Sequence, residues 1–134
     1  MNTTSRITSD NLAPPSEPYA HAVQAGALLF IAGQVAFDEH NAVVGLGDPH
    51  AQATQVWQNI RTVVEAAGGI VEDIVKVTVF LADIRHAAAE VDVRRSMFPP
   101  GRYPSCTQVQ VANLGLPELL MEVDAIAVIS GSKP

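Results

Sequence analysis

Between Asp48-Pro49 and Gly68-Gly69 the chain carries a single apolar stripe: Ala53, Val56, Ile60, Val63, Val64 and Ala67 recur at spacings of three and four. That period belongs to an amphipathic helix. Asp48 suits its N-cap and Pro49 its first turn, while the glycine pair ends it. Trp57 borders the stripe. Such a helix buries only one face, so it needs another element to lie on. The next apolar segment has a different period. Over 74–82, Val75, Val77, Val79 and Leu81 fall on one face and Lys76, Thr78 and Phe80 on the other, the alternation of a strand. A helix packed on a sheet follows.

The rest of the chain fits this plan. Residues 1–18, with Pro14, Pro15 and Pro18, read as an irregular arm with one short strand around Arg6-Ile7-Thr8. Strands are expected over 19–25 and 27–37, joined at Gly26, and the second is apolar on both faces. Asp38-Glu39-His40-Asn41 makes a hairpin-like turn towards Val43-Val44. Asp83 caps a second helix running through Ala87, Val91 and Phe98, which Pro99-Pro100-Gly101 stops. Tyr103–Val111 and Leu119–Val128 read as two last strands, separated by the turn chemistry of 113–117. Residues 130–134 form a polar tail. The order predicts one α+β domain over 1–134, a sheet with two helices on one face. Its other face then needs a partner. Only 16% of residues are charged, few for the surface of a small monomer; a buried subunit interface would explain it, a sparsely charged monomer being the alternative.

Charge and cysteine content narrow the function. Eight basic residues against fourteen acidic ones give a net charge of -6. No basic stripe is present to follow a phosphate backbone, so nucleic acid is not an expected partner. The one cysteine, Cys106, excludes an internal disulfide and suits a reducing cytoplasm. A polar N-terminus and the lack of a long apolar run give no membrane segment.

Few residues carry candidate chemistry. His21, His40, His50 and His86 are scattered, and His86 with Glu90 reads as an exposed polar pair, so no metal site is expected. Gly45-Leu46-Gly47 before the first helix lacks the Gly-Lys-Ser/Thr ending of a phosphate loop, and no cofactor is expected. Cys106 is either a nucleophile, a residue lining a pocket, or a small buried hydrophobe. On the last strand Glu122 and Asp124 share a face with Leu120, Ile126 and Val128. A carboxylate among apolar neighbours is costly unless paired or used, and its pKa rises towards neutrality.

Several stretches together resemble the Rid/YjgF family, the reactive intermediate deaminases once described as L-PSP-type endoribonucleases. They are Pro18-Tyr19, Ala32-Gly33-Gln34, Asn59-Ile60, Glu65-Ala66-Ala67-Gly68, Asp73-Ile74-Val75-Lys76 into Thr78-Val79-Phe80, and the segment from Tyr103 to Val128. The resemblance implies a chorismate-mutase-like fold and a homotrimer whose sheets form a central barrel, with ligand pockets between subunits. Deaminating members hold the substrate carboxylate with an arginine on the penultimate strand and position water with a glutamate on the last. Counting back from Val111-Ala112-Asn113-Leu114, the arginine position is Cys106 and the glutamate is Glu122. The family's serine before Gly-Gln is Ala32 here, its helix asparagine is Asp92, and its N-terminal tyrosine is Tyr19. This is the pattern of an arginine-less subgroup. Cysteine cannot form a two-pronged charged clamp; Arg94, Arg95 or Arg102 stands near enough in sequence to supply charge from another side.

The expected function is hydrolysis of a small reactive metabolite of imine, enamine or related type, other than 2-aminoacrylate, at pockets between subunits. Glu122 would act as base and Cys106 would line the pocket or attack. Tyr19, Gly33, Gln34, Asp92, Phe98, Arg102 and Tyr103 complete the candidate site. The alternatives are a non-catalytic ligand binder or a trimeric interaction module.

Overall fold

The structure, a computed structural model, describes residues 3–129, so the polar tail expected over 130–134 lies outside the described residues. The first helix, α1, spans Pro49–Ala66. Its start is capped as its sequence predicts, with Asp48 Oδ1 accepting from the Ala51 N–H at 3.0 Å. Its end is a Schellman turn: Gly68 sits at φ +87°, its N–H reaches Glu65 O, and the Gly69 N–H reaches Val64 O, both at 2.9 Å. Ala53, Val56, Ile60, Val63 and Val64 are all buried, each of the Val and Ile side chains contributing about 1.5–3 kcal/mol relative to exposure.

That face rests on a six-stranded sheet of order β1-β2-β3-β6-β4-β5. The strands are β1 Thr4–Ile7, β2 Ala22–Ala25, β3 Leu28–Gln34, β4 Ile74–Leu81, β5 Ser105–Gln110 and β6 Met121–Val128. Only β4 and β5 run parallel, joined across by the second helix, α2, over Ala87–Met97. A 3₁₀ turn over Ile84–His86 leads into α2, and Asp83 caps it by accepting from the Arg85 N–H at 2.9 Å. The first two expected strands are shorter than predicted. They meet at a two-residue turn in which Gly26 takes φ +60°, and beyond Gln34 only a lone bridge, Phe37 with Val43, continues the pairing.

One face of the sheet is core and the other is open. Leu29 and Ile31 of β3 are buried, whereas Leu28 and Phe30, on the face expected to meet a subunit partner, are 41% and 44% exposed in the single chain. In β6, Met121, Val123, Ala125 and Ala127 are buried beneath the helices, and the alternate residues Glu122, Asp124, Ile126 and Val128 face the open side. Val75 departs from its predicted face. The β4–β6 register slips between Ile74 and Lys76, so Val75 is the extra residue of a bulge and is exposed, while Ile74 takes its place in the core.

Three polar side chains under the helices were not foreseen as core. The Gln52 amide nitrogen donates to Gly45 O (3.2 Å) and Glu118 O (2.9 Å), and its oxygen accepts from the Leu120 N–H at 2.9 Å. The Asn59 amide donates to Val35 O and Phe37 O at 3.0 and 2.9 Å. Both tie irregular backbone to α1, satisfying carbonyls that no strand can serve. The third is Glu90. It is not half of an exposed pair with His86 but fully buried: Trp57 Nε1, also without solvent access, donates to it at 2.9 Å, and Arg94 one turn on forms a two-pronged bridge, closest at 2.7 Å. Trp57 thus belongs inside the stripe, because its indole N–H has a buried acceptor on α2.

Candidate functional site

Glu122 lies where β6 leaves the loop after β5. Its side chain lines a cavity of about 480 Å³ with Tyr19, Ala32, Gly33, Leu116 and Leu119. Gly33 approaches this side chain closely: a Cβ there would overlap the Glu122 carboxylate, which would have to shift. Burial, and then the neighbouring charge of Asp124, push the Glu122 pKa above the usual 4.5. Burial also raises the Tyr19 phenol, helped by Glu17 and Glu122, so the hydroxyl keeps its proton and can donate. A carboxyl of raised proton affinity, a hydroxyl donor and a half-open apolar wall can bind a small polar molecule and move a proton at it.

The second group of candidates lies on the other side of the sheet. β5 pairs Cys106 with Val77, whose side chain is in the core under the helices, while Glu122 pairs with Phe80 on the open side. Cys106 therefore faces α2. Of the three arginines near it in sequence, the one that interacts with it is Arg94. Burial alone would lower the pKa of that guanidinium, but its hydrogen bonds and charge attraction to Glu90, with a smaller contribution from Cys106, outweigh burial and raise it. Arg94, Arg95, Val91 and Tyr103 line a cavity of about 180 Å³. Phe98 is buried, edge-on to Trp57 at 5.7 Å and to Tyr103 at 6.4 Å.

Three expected site residues stand elsewhere. Gln34 points into the core, its amide nitrogen 3.3 Å from His21 Nδ1 and 3.2 Å from Ala32 O, while His21 Nε2 contacts Ala13 O at 2.8 Å. It braces the N-terminal arm. Asp92 is exposed and paired with Arg95 at 3.2 Å. Arg102 is exposed and lines neither cavity, its backbone N–H bonding Pro99 O at 3.0 Å. The candidates thus fall into two separate groups, Tyr19, Gly33 and Glu122 in one and Arg94, Tyr103 and Cys106 in the other, and a single chain does not bring Glu122 and Cys106 together. Glu90 and Trp57, which set the position of Arg94, were missed. Their one signal was the i, i+4 spacing of Glu90 and Arg94, and Glu90 pairs one turn forward, not one turn back.

Comparison with known proteins agrees with this architecture. The family model described as Endoribonuclease L-PSP matches residues 10–129. A RutC family protein of Pyrococcus horikoshii is 37% identical over 121 residues, 90% of this chain and 94% of that protein. Among solved structures, yeast YEO7 superposes with a TM-score of 0.89 at 34% identity, covering 96% of this chain and all of that one. TdcF of E. coli, solved with bound serine, gives 0.85 at 31% identity, covering 94% and 99%. The chain belongs to the Rid/YjgF family, whose members share this two-helix, six-strand domain.

Proposed function

We propose that this protein hydrolyses a small reactive metabolite with a C=N or related C–N bond, in a pocket at the boundary between subunits of a homotrimer. The observation that carries this reading is the half-buried Glu122 carboxyl, raised in pKa and set against Gly33 in a cavity that Tyr19 also lines. In the proposed reaction Glu122 takes a proton from water as the oxygen adds to the imine carbon and returns it to the nitrogen, giving a carbinolamine. The carbinolamine hydroxyl proton then passes to the nitrogen as the C–N bond breaks, so that ammonia leaves and a carbonyl compound remains.

The division into two groups supports assembly: each chain offers one group from each side of its sheet, and a neighbouring copy can complete either. The exposed Leu28, Phe30, Val109 and Val128 on the open face and the low charge density support it too. The acidic balance argues against a nucleic-acid substrate in spite of the endoribonuclease description of the family model. No helix of the described residues is long and apolar enough to cross a membrane, and the lone free thiol suits a cytoplasmic setting. A second reading, a non-catalytic binder of small amino-acid-like ligands, draws on the serine held by TdcF. Turnover of a panel of imines by the native protein and its Glu122→Gln variant separates the two. Loss of turnover with retained ligand binding supports catalysis; no turnover by either supports the binder.

A further inference from the structure

The open face of the sheet carries a cation and an anion that form no ion pair among the described residues. Asp124 of β6 lies across from Thr78 of β4, and Lys76 sits two residues along β4 on the same face. Lys76 Nζ donates to Val77 O at 2.7 Å, Thr107 Oγ1 at 3.2 Å and Thr78 Oγ1 at 3.4 Å, all of them neutral. Among the described residues no ion pair includes Lys76 or Asp124. Both line a hollow of about 320 Å³ with Phe30, Thr78 and Ile126, and the exposed Leu28, Phe30, Val109 and Val128 lie on the same face.

Opposite charges at the middle of this face, which also carries Glu122 towards its end, restrict what can cover it. A purely apolar partner would strand both ions out of water, at several kcal/mol each. A partner that presents an acid to Lys76 and a base to Asp124 avoids that cost, and a second copy of this chain carries both groups in one patch. A head-to-tail arrangement repeats the same contact at every boundary and closes as a ring. We propose that copies of this chain assemble on this face with Lys76 of each subunit paired to Asp124 of the next, so that this pair, repeated at every boundary, sets the register of the assembly. The proposal rests on the homo-oligomeric reading above and adds its specificity element.

Charge reversal tests it on the full-length protein, with mass read by light scattering across a dilution series. Lys76→Glu and Asp124→Lys should each raise the dissociation concentration at least tenfold, because each sets like charges face to face. The double reversal, Lys76→Glu with Asp124→Lys, should return it to within a few fold of the native value. Replacing both by apolar residues, Lys76→Met with Asp124→Leu, should keep the assembly, which guards against a mere folding failure. Single reversals without effect, or a double reversal no better than either single, would overturn the pairing while leaving the oligomer intact. A native protein that is monomeric at micromolar concentration would overturn the interface reading itself and leave this face to some other partner.

Discussion

Trp57 of α1 donates its indole N–H to the Glu90 carboxylate of α2 at 2.9 Å, where neither side chain reaches solvent. The contact locks the two helices together and orients Glu90 so that Arg94 can be held from its other side. Removing one member of such a set exposes the cost of the rest. Glu90→Gln leaves the Arg94 guanidinium without its counter-charge and should cost about 3–5 kcal/mol. Trp57→Phe loses one hydrogen bond to a charged group, about 1.5–3 kcal/mol. Thermal melts followed by circular dichroism should rank the variants in that order. A Glu90→Gln protein as stable as the native one would mean that water or backbone already satisfies Arg94.

Glu122→Gln should remove most turnover while leaving the melting temperature near the native value, since Glu122 makes no ion pair among the described residues. The pH dependence has a definite sign. The folded-state pKa lies above the unfolded 4.5, so the folded state binds more protons between the two values, and this group's contribution to stability falls as pH rises through that window. The Gln variant should lack that slope. Asp124→Asn removes one cause of the raised pKa, so the acidic limb of the pH–rate profile should move to lower pH, measured where the variant keeps the native mass. An unmoved limb would mean that burial alone sets the Glu122 pKa.

Gly33→Ala tests the close approach of β3 to Glu122. The added methyl must displace the carboxylate, whose end is flexible, so the fold should survive with a loss within about 1–3 kcal/mol. Turnover should fall at least tenfold, because a catalytic group displaced by an ångström acts poorly. Native activity in this variant would place Glu122 outside the chemistry.

Cys106 predicts little 2-aminoacrylate deamination, because a thiol cannot grip a carboxylate in two charged bonds. Pyruvate release from a dehydratase-generated intermediate, with and without this protein, measures it. Cys106→Arg should raise the rate if the pocket is otherwise competent, although the new guanidinium must share space with Arg94. A native rate matching that of an arginine-bearing relative would show that Arg94 already serves as the clamp.

Local pattern was sufficient wherever a structural decision depends on near neighbours in the chain. The limits of α1 follow from Asp48, Pro49 and Gly68, whose cap and left-handed turn involve residues at most five apart. The alternation of β6, with Glu122 and Asp124 on one face and Met121 and Val123 on the other, follows from the two-residue period of a strand. That period states which residues share a face but not which face is covered, and there the tertiary structure decided. The parallel pairing of β5 with β4 turns Cys106 towards α2, and the antiparallel pairing of β6 turns Glu122 to the open side. A bulge with no marker in the sequence removes Val75 from the core. Gln52, Asn59 and Glu90 have the composition of surface residues and are buried because partners distant in the chain, Glu118 O, Val35 O and Trp57, complete their hydrogen bonds. Hydrogen-bond satisfaction depends on three-dimensional neighbours, so no reading of local period could have placed them.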